Sequence, residues 1–81
     1  MKFKVFIGID VSKLTLDVYL VQGGKHAIFS NNKKGFTEMI EWIMELSGEV
    51  LHSEIVIAFE HTGIYSDNLM MFLDEHNIPF T

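Results

Sequence analysis

Two short apolar segments, each followed at once by an acidic residue, constrain the fold of this chain more than any other feature. Residues 5–9 lead into Asp10, and residues 55–59 lead into Glu60. Short runs rich in β-branched residues and bounded by turn residues are typical of buried strands. If the two strands lie side by side and parallel, both carboxylates emerge at the same edge of the sheet.

The surrounding sequence predicts the element order β-β-β-α-β-α. Residues 14–21 and 26–30 predict the second and third strands, because they follow strand patterns on either side of a glycine-containing turn. Apolar residues at helical spacing then predict a helix, with Asn31 or Asn32 as its N-cap and Gly48 as its stop. A helix between the third and fourth strands lets the fourth strand run parallel beside the first.

A second helix is predicted after the fourth strand, opened by His61 or Thr62. Its inner side is expected to carry four large residues: Tyr65, Leu69, Phe72 and Leu73. Asn77 is a natural left-handed stop, and residues 78–80 are typical of the start of a fifth strand. We therefore expect an α/β fold with a mixed sheet that is incomplete at its C-terminus, in a fragment of a larger protein or a truncated gene product.

Composition limits the class of protein. With 81 residues, 48% of them hydrophobic, the chain is long enough for one domain with a thin core. It has no cysteine, no apolar run long enough for a membrane helix and no signal-peptide pattern, so we expect an intracellular protein. The net charge of −5 argues against this segment alone binding nucleic acid strongly, but it does not exclude a nuclease.

The phase of the two strands indicates a metal site. Asp10 shares a sheet face with Gly8, and Glu60 shares one with Ala58, which leaves room above both acids. Carboxylates on neighbouring strands, about 4.8 Å apart, repel one another unless a cation bridges them or one is protonated. Mg²⁺ or Mn²⁺ prefers such oxygen ligands, and pairs of these ions support phosphodiester cleavage. Two acids are too few for two ions, and acids that follow strands are also common as helix caps or exposed loop residues.

Three segments resemble a known family. Residues 8–13 (GIDVSK), with Leu16-Asp17-Val18 after them, look like the opening of the DEDD transposases, which include the insertion-sequence 110 family and the related Piv DNA invertases. Residues 32–36 (NKKGF) are similar to the family's motif at the start of its first helix. Residues 59–65 (FEHTGIY) are similar to its E-x-T-G-x-Y motif. The resemblance covers essentially the whole chain, in order and with compatible spacing.

This resemblance implies that residues 1–81 are the N-terminal part of a RuvC-like, ribonuclease-H-like catalytic domain. Asp10 and Glu60 would be the first two acids of the DEDD tetrad and ligands of Mg²⁺ or Mn²⁺. The two later aspartates and a serine-bearing C-terminal domain would lie beyond residue 81. The full-length protein would then cleave and rejoin DNA to move an insertion element in the prokaryotic cytoplasm, in some members guided by an RNA. The fragment alone is expected to be inactive.

Several nearby residues have both a functional and a structural interpretation. Asp17 could be an extra acid, but its mid-strand place favours a solvent-facing or hairpin-pairing role. His61 could touch substrate or metal, and it also fits a first-turn helix position. Gly63 is expected to let the second helix pack against the sheet. Ser12 and Lys13 could contact a phosphate, although an ordinary turn is the favoured interpretation.

Two other functions stay open from the residues alone. An actin-like or sugar-kinase-type phosphotransferase also begins with an aspartate after its first strand. That family's turn favours glycine, whereas Val11 and Ser12 occupy it here. The second alternative is a non-catalytic assembly remnant, in which a sheet edge left bare beside the fourth strand pairs with another copy to give a homo-oligomer.

Overall fold

A mixed four-stranded sheet carries both α-helices on one of its faces. The computed structural model describes residues 3–60 and 63–81. Its elements, in chain order, are β1 (Val5–Val11), β2 (Thr15–Leu20), β3 (Lys25–Ser30), α1 (Lys33–Ser47), β4 (Ile55–Phe59) and α2 (Asp67–Glu75). Two short 3-10 helices, at His52–Glu54 and Ile64–Ser66, precede β4 and α2. The expected α/β class and the expected element order are confirmed.

The strand order in the sheet is β3-β2-β1-β4. The first three strands form an antiparallel meander, and α1 then carries the chain across to β4, which pairs with β1 in parallel. In this parallel pair Gly8 lies opposite Ala58, and Ile9 lies opposite Phe59. The predicted placement of the fourth strand beside the first is therefore confirmed.

The core lies between the sheet and the two helices. Alternate residues of β1, β2 and β4 point toward the helices and are buried, because side chains in a strand alternate between the two faces. The helices contribute seven buried residues to this core: Phe36, Met39, Ile40, Ile43, Leu69, Phe72 and Leu73. The rings of Phe36 and Phe72 join the two helices, with centroids 5.4 Å apart.

Helix α1 begins and ends at two of the predicted residues. The N-cap is Asn32 rather than Asn31, since the Asn32 side-chain oxygen accepts a hydrogen bond of 2.8 Å from the Gly35 amide. Gly48 ends the helix with a φ of 77°, a conformation that glycine adopts readily. The prediction for the first helix is confirmed.

Gly35 allows the first turn of α1 to lie directly against the end of β3. A Cβ atom built at this position would overlap the carbonyl oxygen of Ser30 and would lie 2.6 Å from its carbonyl carbon. Glycine at position 35 therefore sets how closely α1 approaches the sheet.

The second α-helix begins later than predicted, at Asp67. His61 and Thr62 lie outside the described residues, and Tyr65 belongs to the 3-10 helix that precedes α2. A 3-10 helix has about three residues per turn, so the spacing that places Leu69 inside does not extend back to Tyr65. Tyr65 is 45% exposed, whereas Leu69, Phe72 and Leu73 are buried as predicted.

The last residues lie along the outer edge of β4. Asn77 has a φ of 57°, which confirms the predicted left-handed stop after α2. Ile57 then donates to Pro79 and accepts from the Thr81 amide at 3.0 and 2.9 Å, and Phe80 forms a parallel bridge with Ile57. The start of a fifth strand is thus confirmed, and residues 79–81 occupy part of the edge that was expected to be bare.

The other face of the sheet is not covered by either helix. Four large apolar side chains on this face are exposed: Phe6, Tyr19, Val21 and Ile28. Among residues 3–60 and 63–81, no helix is long and apolar enough to cross a membrane.

Candidate active site

Asp10 and Glu60 lie on adjacent parallel strands at the same end of the sheet. Asp10 is near the end of β1, and Glu60 directly follows β4, one position beyond the paired residues Ile9 and Phe59. Both acids are exposed on the face opposite the helices. They line one shallow, open depression together with Gly8, Ala58, Tyr19 and Thr81, among others.

Two small residues, Gly8 and Ala58, line this depression between the acids. Gly8 and Ala58 are direct partners across the β1–β4 ladder and lie on the same face as the two acids. Among residues 3–60 and 63–81, no atom lies within 4 Å of a Cβ built at Gly8. The room that the sequence predicted above the two acids is therefore present, and a ligand or a covering element can approach the backbone there.

A third carboxylate, Asp17, lies on the neighbouring strand. Asp17 is the direct partner of Asp10 in the antiparallel β1–β2 ladder. Its Oδ1 atom lies 3.2 Å from Nε2 of His26, and the ring of His26 stacks on Tyr19 with centroids 4.4 Å apart. The expected hairpin-pairing role of Asp17 is confirmed by this bond to β3.

The described acids and histidines do not form a complete metal cage. Within residues 3–60 and 63–81, no three histidine, cysteine, aspartate or glutamate side chains are grouped closely enough to hold a metal ion. Asp10 and Glu60 thus stand as a pair of carboxylates at one edge of the sheet. His61, which was considered as a further contact to metal or substrate, lies outside the described residues.

The turn after Asp10 is held by hydrogen bonds of its own. The Ser12 amide donates to the carbonyl oxygen of Thr15 at 2.9 Å, and the Ser12 hydroxyl donates to the same oxygen at 3.0 Å. The two hydroxyl groups of Ser12 and Thr15 are also 2.9 Å apart. These contacts support the structural interpretation of Ser12 as a turn residue, while Lys13 is exposed.

Gly63 differs from its predicted role. It has a φ of 72°, and no atom of the described residues lies within 4 Å of a Cβ built there, so among these residues it serves backbone conformation rather than close packing. The close approach that was expected at Gly63 occurs instead at Gly35.

Asn31 is a site-adjacent residue whose role the sequence did not reveal. It was considered only as a helix cap, yet its side-chain nitrogen donates to the carbonyl oxygens of Ser12 and Tyr65, at 2.8 Å each. The only local signal is the pair of asparagines before α1: Asn32 alone is sufficient as the cap, which leaves Asn31 available for other contacts.

Comparison with known proteins identifies the family of this chain. A family model described as a transposase, of the DEDD type of insertion sequence 110, matches residues 7–81. The chain belongs to this DEDD transposase family. Domains of the family are ribonuclease-H-like, in agreement with the mixed sheet and the two helices described above.

Two curated relatives are gene-inverting proteins by name. The pilin gene-inverting proteins of Moraxella lacunata and Moraxella bovis are each 31% identical to this chain over 78 residues. The matched region covers 91% of this chain and 23% of each relative, so the chain spans about a quarter of the length of these relatives. The family match favours a transposase or recombinase domain over the actin-like or sugar-kinase alternative.

Proposed function

We propose that this chain forms the first part of the catalytic domain of a DNA transposase or recombinase, in which Asp10 and Glu60 bind a divalent metal ion. The observation that carries the proposal is the parallel β1–β4 pair, which brings the two acids to one exposed edge above Gly8 and Ala58. Family membership supports the reaction class, because the family that matches this chain is described as a transposase family.

The donor chemistry at this edge fits Mg²⁺ or Mn²⁺. Both acids supply hard oxygen ligands, and adjacent strands hold their backbones about 4.8 Å apart. Their mutual repulsion at this spacing is relieved when a cation lies between them. A bound metal ion supplies Lewis-acid activation of the phosphate and of the attacking oxygen. Asp10 and Glu60 would hold and orient this ion, and the open space at Gly8 would leave room for the DNA backbone.

We propose that residues outside this chain complete the metal site. Two carboxylates leave most of the coordination shell of one ion, and all of a second ion, to other ligands. The net charge of −5 supports the proposal that the main DNA-binding surface lies outside these 81 residues. We propose that further acids complete the tetrad and that the isolated chain is inactive. The full-length protein then acts on DNA in the cytoplasm as a homo-oligomer, and a guide RNA is a further proposed partner.

The two Moraxella relatives support recombination as the outcome of the reaction. Their names describe the inversion of a gene, which requires that DNA strands are cut and rejoined. Cleavage followed by rejoining is therefore the proposed reaction of the full-length protein.

Substitution of the two acids in the full-length protein tests this function. Asp10→Asn and Glu60→Gln are each expected to abolish Mn²⁺-dependent cleavage of element-end DNA while the protein stays folded. Glu41→Gln, an exposed acid on α1, is the matched control and is expected to retain full activity. If Asp10→Ala left transposition intact, the assignment of the metal site would be wrong.

A further inference from the structure

One side chain connects the two loops that leave the acidic pair. The carbonyl oxygen of Ser12 lies in the turn after Asp10, and that of Tyr65 lies in the segment after Glu60. The Asn31 side-chain nitrogen donates to both oxygens at 2.8 Å. The Asn31 backbone amide adds a third bond, of 2.9 Å, to the carbonyl oxygen of Leu14 in the same turn.

The chemistry of this contact requires a side chain with two donors on one atom. Carbonyl oxygens only accept hydrogen bonds, so the group between them must donate twice, as a primary amide does. Aspartate has nearly the same shape but only acceptors when ionised, and serine has one donor. The orientation of the amide is therefore fixed by the two carbonyl groups.

The side-chain oxygen of Asn31 does not contribute to this contact. Asn31 Oδ1 is buried and has no hydrogen-bond partner among the residues that the structure describes. Among the described residues, the side-chain amide of Asn31 is therefore held by its two donated bonds. Capping of α1 does not require Asn31, since Asn32 provides the cap.

We propose that Asn31 is a positioning residue of the acidic pair: by holding the two loops together, it fixes the separation of Asp10 and Glu60 so that one cation can bind both. This inference rests on the proposed metal-binding function of these two acids. Asn31 touches neither the metal nor the substrate in this proposal, and acts only through the backbone that follows each acid.

A Mn²⁺ titration of the 81-residue chain tests the proposal. Paramagnetic broadening of backbone amide signals in ¹⁵N NMR spectra reports where Mn²⁺ binds, and its concentration dependence gives the affinity. In the parent chain, the signals around Asp10 and Glu60 are expected to broaden first. Asn31→Ala and Asn31→Asp are expected to weaken this binding by about tenfold, as supporting residues of metal ligands commonly do. Asn31→Ser, which keeps one donor, is expected to fall between them and the parent.

Asn32→Ala is the matched control, because it removes the neighbouring asparagine and the helix cap while both loop contacts remain. It is expected to lower the urea midpoint and to keep the Mn²⁺ affinity within about twofold of the parent. If Asn31→Ala and Asn31→Ser bound Mn²⁺ as tightly as Asn32→Ala, the positioning role would be refuted while the metal site stood. If Mn²⁺ failed to broaden signals near Asp10 and Glu60 in the parent chain, these two acids would not bind a cation by themselves and the positioning role would be refuted, whereas Asp10→Asn and Glu60→Gln test the metal site of the full-length protein.

Discussion

Replacement of Gly35 by alanine is expected to destabilise the fold, although alanine is normally the better helix residue. The added methyl group would overlap the carbonyl oxygen of Ser30 and lie 2.8 Å from the Ser30 amide nitrogen. These are backbone atoms at the end of β3, so no side-chain rotation relieves the overlap. The first turn of α1 must move away from the sheet, and the buried Phe36 moves with it.

The magnitude follows from two opposing effects. Alanine gains about 1 kcal/mol over glycine inside a helix. Insertion of a methyl group into a tightly packed site costs about 1–3 kcal/mol, and occasionally more where only backbone can move. With the cost at or above the upper end of that range, the net loss in the free energy of unfolding is about 2 kcal/mol. For a domain of this size, that loss lowers Tm by about 8–16 °C.

Urea denaturation followed by tryptophan fluorescence measures this loss directly. The single tryptophan, Trp42 on α1, packs edge-on against Phe29 of β3 with ring centroids 5.6 Å apart, so its emission reports whether α1 lies on the sheet. Gly8→Ala is the matched control, because a Cβ there meets no atom of the described part of the chain within 4 Å, and it is expected to be neutral or slightly stabilising. A Gly35→Ala variant as stable as the parent would refute the close approach of α1 to β3.

Two further predictions concern stability. Leu69→Ala is expected to cost about 2–5 kcal/mol of unfolding free energy because Leu69 is fully buried. Tyr65→Ala, at an exposed position, is expected to cost less than about 1 kcal/mol. Equal urea midpoints for the two variants would contradict the observed start of α2. The Leu51 amide and the Lys4 ammonium group lower the pKa of Glu54. The charged form of Glu54 therefore stabilises the fold at pH values above the usual pKa range of glutamate, and this contribution is lost as the pH falls through the lowered pKa. The difference in urea midpoint between the parent and Glu54→Gln should therefore shrink from about pH 6 to about pH 3, and a difference that grew on acidification would show that the charged form of Glu54 is not the stabilising one.

The strands and the sheet face that carries the two acids could be predicted from sequence because both depend on local patterns. Alternation along residues 5–9 and 55–59 fixes which side chains face the helices, and the strand phase then puts Asp10 and Glu60 on the other face. The glycine-ended helix α1 and the left-handed Asn77 also carry local signals. Features of this kind follow from a few neighbouring residues.

The features that the sequence did not reveal depend on contacts between distant residues. Gly35 is required by the approach of Ser30, which belongs to another element, and not by the helix that contains it. Asn31 reaches Tyr65, 34 residues away, and no local pattern records that distance. The start of α2 was misplaced because the 3-10 helix at Ile64–Ser66 interrupts a spacing that looks continuous in the sequence.

The parallel pairing of β1 with β4 also has a consequence for how the acidic pair is assembled during folding. The β1–β2–β3 meander closes through short turns, but β4 reaches β1 only after α1 has crossed the sheet. Pairings between residues distant in the chain carry a larger loop-closure cost and slow the folding of a domain. We expect Asp10 and Glu60 to come together in the last cooperative step, so that stopped-flow refolding shows Mn²⁺ binding appearing together with, and never before, the burial of Trp42.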